Sequence, residues 1–126
     1  KNKTFPSAVH VFSSNYALYA DLSARVMQTL TEMSPAIEIY SIDEAFIDLS
    51  GVASCMSLTD FGKTVRNQVF KNSGLTIGIG ASQTNVSEIS KLRSKEMAWY
   101  GSVVDLSDIS RQRKLLERVP VEEVWG

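Results

Sequence analysis

The clearest periodicity in the chain is helical. Tyr19, Leu22, Val26, Leu30 and Met33 recur three or four residues apart, which predicts a helix running to about Met33, where Pro35 forbids much continuation. Ser13, Ser14 or Asn15 would cap its start. Just upstream, Ala8 to Phe12 (AVHVF) is a short β-prone run and predicts a strand.

After Pro35 the period changes to two. Ile37 to Asp43 (IEIYSID) and Phe46 to Ser50 (FIDLS) are rich in β-branched and aromatic residues and are closed by Gly51, the pattern of a hairpin. With Glu44 and Ala45 as its loop, Ile42 would face Ile47 and Tyr40 would face Leu49 on one apolar side. Ser41, Asp43, Phe46 and Asp48 would then share the other side. Neither Glu nor Ala takes positive φ willingly, so such a turn would need tertiary support.

Thr59 or Asp60 can cap a second helix carrying Phe61, Val65 and Val69 at spacing four, with Ser73-Gly74 as its end. Leu75 to Ala81 (LTIGIGA) reads as a strand in which Gly78 and Gly80 leave one side bare, so that something packs closely there. A helix over Val86 to Ala98, a short strand Val103 to Leu106 and a last helix over Asp108 to Arg118 complete the order β-α-β-β-α-β-α-β-α. Its core, β-α-β-β-α-β, is the ferredoxin-like split unit. The fold class is thus α/β in the α+β sense, with an antiparallel or mixed sheet covered by helices on one face and free for ligands on the other.

Composition narrows the setting. The chain has 126 residues, 44% of them hydrophobic, enough for one domain. No window approaches a membrane-spanning apolar run, and KNKTFPSAVH lacks the features of a signal peptide. Cys55 is the single cysteine, which excludes an internal disulfide and favours a cytoplasmic site. The net charge of −1 is not that of a stand-alone nucleic-acid binder, so most of any grip on DNA phosphates would come from elsewhere. The chain starts at Lys1 and stops at Gly126 without a polar tail, and reads as part of a longer protein or as a processed one.

Asp43 and Glu44 are the residues that suggest chemistry. Two adjacent acids in a turn repel each other and have no sequence-local cation. Mg²⁺, a hard ion that accepts one or two carboxylates together with phosphates and water, is one compensation; plain solvation of an exposed turn is the other.

The words around the pair resemble a known family. YSIDEAFIDLSGV (Tyr40 to Val52) is similar to the signature hairpin of Y-family translesion DNA polymerases. FSSNYALYADLSARVMQTL, LTDFG, LTIGIGASQT, VVDLS and RQRKLLERVPVEEVWG resemble its UmuC-like branch, the ImpB/MucB/SamB group, in the same order. The resemblance implies that residues 1–126 are a partial palm domain, without the N-terminal catalytic strand, most of the fingers, the thumb and the little finger.

It further implies an error-prone, lesion-bypass polymerase of SOS repair and mutagenesis, using two Mg²⁺ ions. Its partners would be primer-template DNA, a deoxynucleoside triphosphate and a UmuD-like subunit. Carried over by motif, Asp43 would bridge both ions, Glu44 would bind the ion that activates the primer, and Ser41 would lie near the primer end. After Thr84 the sequence NVSEISKLRSKEM departs from the family's TLAKLA-like run; Lys91 is the nearest match to its triphosphate-binding lysine, although a solvated helix face explains Lys91, Arg93 and Lys95 equally. With a third carboxylate missing, the chain alone is expected to be inactive, acting otherwise as an interaction module. A sheet lacking one strand is expected to self-associate.

Overall fold

The computed structural model describes residues 10–34, 36–82 and 103–118. Within them are three α-helices and two small sheets, an α+β arrangement of the palm-like kind.

Helix α1, Tyr16–Met33, is capped by Asn15, whose Oδ1 accepts from the Leu18 N–H at 3.1 Å. Its first half projects Tyr16, Leu18 and Tyr19 into solvent, and burial begins only at Val26, Met27 and Leu30. Helix α2, Leu58–Ser73, starts two or three residues earlier than a cap at Thr59 or Asp60 would place it. Ser57 is the cap: its Oγ accepts from the Asp60 N–H at 3.1 Å and donates to Asp60 Oδ2 at 2.7 Å. Gly74 ends the helix in the left-handed conformation that a side chain would resist, its φ being 73°.

The two helices pack face to face around Val26, Met27, Leu30, Val65 and Val69, with Val69 fully buried. One polar contact crosses this seam. The buried Thr29 hydroxyl donates to the Arg25 carbonyl at 2.9 Å and accepts from Asn72 Nδ2 at 3.1 Å, so its burial leaves no unmet hydrogen bond.

Strands β1, Ile37–Ile39, and β2, Ala45–Ile47, form an antiparallel hairpin in the register Ile37↔Ile47, Glu38↔Phe46, Ile39↔Ala45. This corrects the two-residue loop. Residues 40–44 form the turn, closed by the N–H groups of Tyr40 and Ser41 donating to the Glu44 carbonyl at 3.0 and 3.1 Å. The physical reason is the one already visible in the sequence: a two-residue loop would need positive φ at Glu44 or Ala45, and a longer turn removes that demand. Ile37, Ala45 and Ile47 now face the helices, while Tyr40 and Ile42, expected on the apolar face, are 69% and 54% exposed.

Strand β3, Ile79–Ser82, pairs in parallel with β4, Val103–Leu106. It begins four residues later than Leu75. Helix α3, Ile109–Leu116, follows β4 and is tied to it by Gln112, whose buried Nε2 donates to the Leu106 carbonyl at 2.6 Å. Helix α2 comes close to this second sheet at Gly62, where a Cβ would stand 2.6 Å from Val103 Cγ1.

Two further expectations meet a different outcome. Residues His10 to Phe12 form no strand; Val11 and Phe12 are 89% and 85% exposed. The helix expected over Val86 to Ala98, and Lys91 with it, lies outside the described residues. Among the described residues no helix is long and apolar enough to cross a membrane.

Candidate active site

The hairpin turn is held in place from α1. The Ser23 hydroxyl donates to the Ile42 carbonyl, nineteen residues away in sequence. Inside the turn the Ser41 hydroxyl donates to Asp43 Oδ1 at 2.8 Å and accepts from the Asp43 N–H at 3.4 Å. Asp43 is exposed and Glu44 half-buried, and both line the mouth of a cavity of about 470 Å³. The cavity is floored by Val26, Met27 and Leu30 of α1 and by Phe61 and Val65 of α2, and is walled by β2 and β3.

Three of the four residues singled out in the sequence are therefore brought together. Ser41 touches Asp43, and Asp43 adjoins Glu44 in the hairpin turn. Ser41 stands in the turn rather than on a strand, and its hydroxyl is bonded to the aspartate. Lys91 lies outside the described residues.

Asp48 also lines the cavity, but its carboxylate has local work. Its Oδ1 accepts from the Ser50 N–H at 2.8 Å, and hydrogen bonds from the Ser50 side chain and then its backbone hold the carboxyl below its ordinary pKa. Among the described residues no group of three or more His, Cys, Asp and Glu is arranged to hold a metal ion. The donor set that is present, hard carboxylate oxygens in an open turn, is of the type Mg²⁺ uses when substrate phosphates and water supply its other ligands.

Ser23 is the residue that sequence reasoning missed. No local pattern marks it, since a helix serine reaching a distant carbonyl has no periodic signature. Phe46 and Tyr40 form a second unforeseen feature, an edge-to-face pair with ring centroids 5.9 Å apart beside the turn.

Comparison with known proteins gives this geometry a context. The sequence profile described as the impB/mucB/samB family matches residues 2–95. The chain belongs to that family. Protein UmuC of Salmonella typhimurium is 55% identical over 124 residues, covering 95% of this chain and 29% of the relative. Protein SamB of Salmonella typhimurium is 45% identical over 129 residues, covering 100% of the chain and 30% of the relative. DNA polymerase IV of Saccharolobus solfataricus is 33% identical over 125 residues, covering 98% and 34%. The family member described here thus corresponds to a region of a UmuC-like, Y-family DNA polymerase and spans about a third of the length of such relatives.

Proposed function

We propose that this chain is the palm region of an error-prone lesion-bypass polymerase, serving two-metal nucleotidyl transfer in SOS repair and mutagenesis. The observation that carries the reading is the exposed Asp43 beside Glu44, in a turn anchored to α1 by Ser23 and standing at the mouth of an open cavity. Asp43 and Glu44 hold divalent cations through their carboxylate oxygens. When bound, Mg²⁺ lowers the pKa of the primer hydroxyl and neutralises charge on the departing pyrophosphate. Ser41 orients the Asp43 carboxylate and lies near the primer end, and Lys91 approaches the triphosphate. The substrates are primer-template DNA and a deoxynucleoside triphosphate, and the setting is cytoplasmic.

As residues 1–126 alone, the chain is inactive, because among the described residues no third His, Cys, Asp or Glu joins Asp43 and Glu44 to hold the ions. Primer extension with the 126-residue chain, Mg²⁺ and all four deoxynucleotides tests this. No templated addition is expected; addition that Asp43→Asn abolishes would establish activity and refute the claim of inactivity.

A second reading is favoured by the open cavity between the sheets. In it the chain is a non-catalytic UmuC-like protein acting as an interaction or oligomerisation module, with a UmuD-like subunit as one partner. Co-purification with such a subunit, retained in Asp43→Asn and Glu44→Gln, is the expected result under this reading.

A further inference from the structure

Away from the carboxylate turn, a concentration of positive charge lies on α3. Between Asp108 and Arg118 the chain sets four cations, Arg111, Arg113, Lys114 and Arg118, against two carboxylates, in a protein whose net charge is −1. Both carboxylates are engaged locally. Asp108 accepts from the N–H groups of Ser110 and Arg111 at 2.7 and 3.3 Å, and Glu117 pairs with Arg113 at 3.5 Å. Arg111, Lys114 and Arg118 are exposed. The charge of Arg111 helps to keep Asp108 ionised, but among the described residues none of these three cations forms a contact ion pair.

Their spacing makes them a row. At 3.6 residues per turn and 1.5 Å per residue, Arg111, Lys114 and Arg118 fall within about 60° of arc and span about 10 Å along the axis. The helix cannot roll the row inward, because the buried Gln112 side chain ties it to the Leu106 carbonyl at 2.6 Å. Helix stability accounts for only part of the pattern. Lys114 and Arg118 complement the negative end of the helix dipole, whereas Arg111 stands in the first turn, where a cation is unfavourable.

A row of cations on one side of a helix complements a linear polyanion better than a single small anion, since a DNA duplex carries a phosphate charge about every 1.7 Å and releases a counterion for each one neutralised. A lipid surface fits less well. The exposed apolar residues of α3, Ile109 and Leu116, lie roughly 140–160° round the helix from Arg111, so a flat membrane could not meet them and the cations together.

We infer that Arg111, Lys114 and Arg118 bind the phosphate backbone of DNA, at a contact separate from the carboxylate turn and needing no metal ion. That the polyanion is DNA rests on the polymerase reading; the row of cations does not.

Fluorescence anisotropy of a labelled DNA duplex, titrated with the full chain in EDTA over a salt series, tests this. Binding that weakens steeply with salt is expected. The triple substitution Arg111→Gln, Lys114→Gln, Arg118→Gln should raise Kd at low salt roughly tenfold or more and reduce the slope of log Kd against log salt by about three. Arg111→Lys with Arg118→Lys keeps the charges and should retain most of the affinity. No binding at low salt, an affinity that the triple substitution leaves intact, or capture of anionic phospholipid vesicles in preference to DNA overturns the inference. Because EDTA keeps cations from the turn, these outcomes are independent of whether Asp43 and Glu44 hold metal.

Discussion

The α1–α2 layer and the two sheets resting on it are built on opposite terms. Between the helices, Val26, Leu30, Val65 and Val69 interlock and the buried Thr29 hydroxyl is fully hydrogen-bonded. In the sheets the strands are only three and four residues long, and Phe46 of β2 and the turn residues Tyr40 and Ile42 face water. Stability thus resides in the helices, and the proposed chemistry falls to the turn they support. The turn owes its position to a helix contact, Ser23 on Ile42, more than to its own loop sequence.

Substitutions can separate the two layers. Leu30→Ala should have the largest effect, about 3 kcal/mol lost in chemical denaturation, since it opens a hole both in the helix seam and in the cavity floor. If that loss stays well under 1 kcal/mol, the seam is not the source of stability. Gly62→Ala should cost about 1–2 kcal/mol, because the new methyl meets Val103 at the junction of α2 with the second sheet and the strain exceeds the gain in helix propensity. A stabilised variant would show that β4 yields easily and that helices and sheet are only loosely joined.

The smallest effect concerns α3. Asp108 caps it, accepting from the N–H groups of Ser110 and Arg111 at 2.7 and 3.3 Å, and these bonds, led by the Ser110 hydroxyl, hold its carboxyl below the ordinary value. A carboxyl whose folded pKa is depressed gives its stabilisation above its unfolded pKa, near 3.9, and loses it as pH falls through the folded value. The helical signal of α3 should therefore decline in acid below about pH 4. Asp108→Asn, which caps without titrating, should flatten that decline; an unchanged acid profile would contradict the assignment.

How much of this was legible in the sequence follows from the range of the forces involved. The three described helices were, because periodic burial and local caps act within a few residues: Asn15 and Gly74 stand where capping predicts, although the start of α2 fell to Ser57 rather than Thr59 or Asp60. The hairpin was legible as a hairpin, but its register was not, because alternation alone fits more than one pairing and the choice fell to Glu44 and Ala45 avoiding a two-residue turn. The pairing of β3 with β4, twenty residues on, and the grip of Ser23 on the turn are long-range contacts with no local signal. The carboxylate pair was found through its motif, and the fold supplied what the motif lacked: the contact between Ser41 and Asp43 and the open cavity beside them.

The most direct test is Mn²⁺ titration followed by paramagnetic broadening of backbone amide signals. Saturable broadening centred on residues 41–45, abolished by Asp43→Asn with Glu44→Gln and left intact by Asp48→Asn, is the predicted result. Broadening spread evenly over all the surface carboxylates, or unaffected by the double substitution, would contradict a shared cation site in the turn.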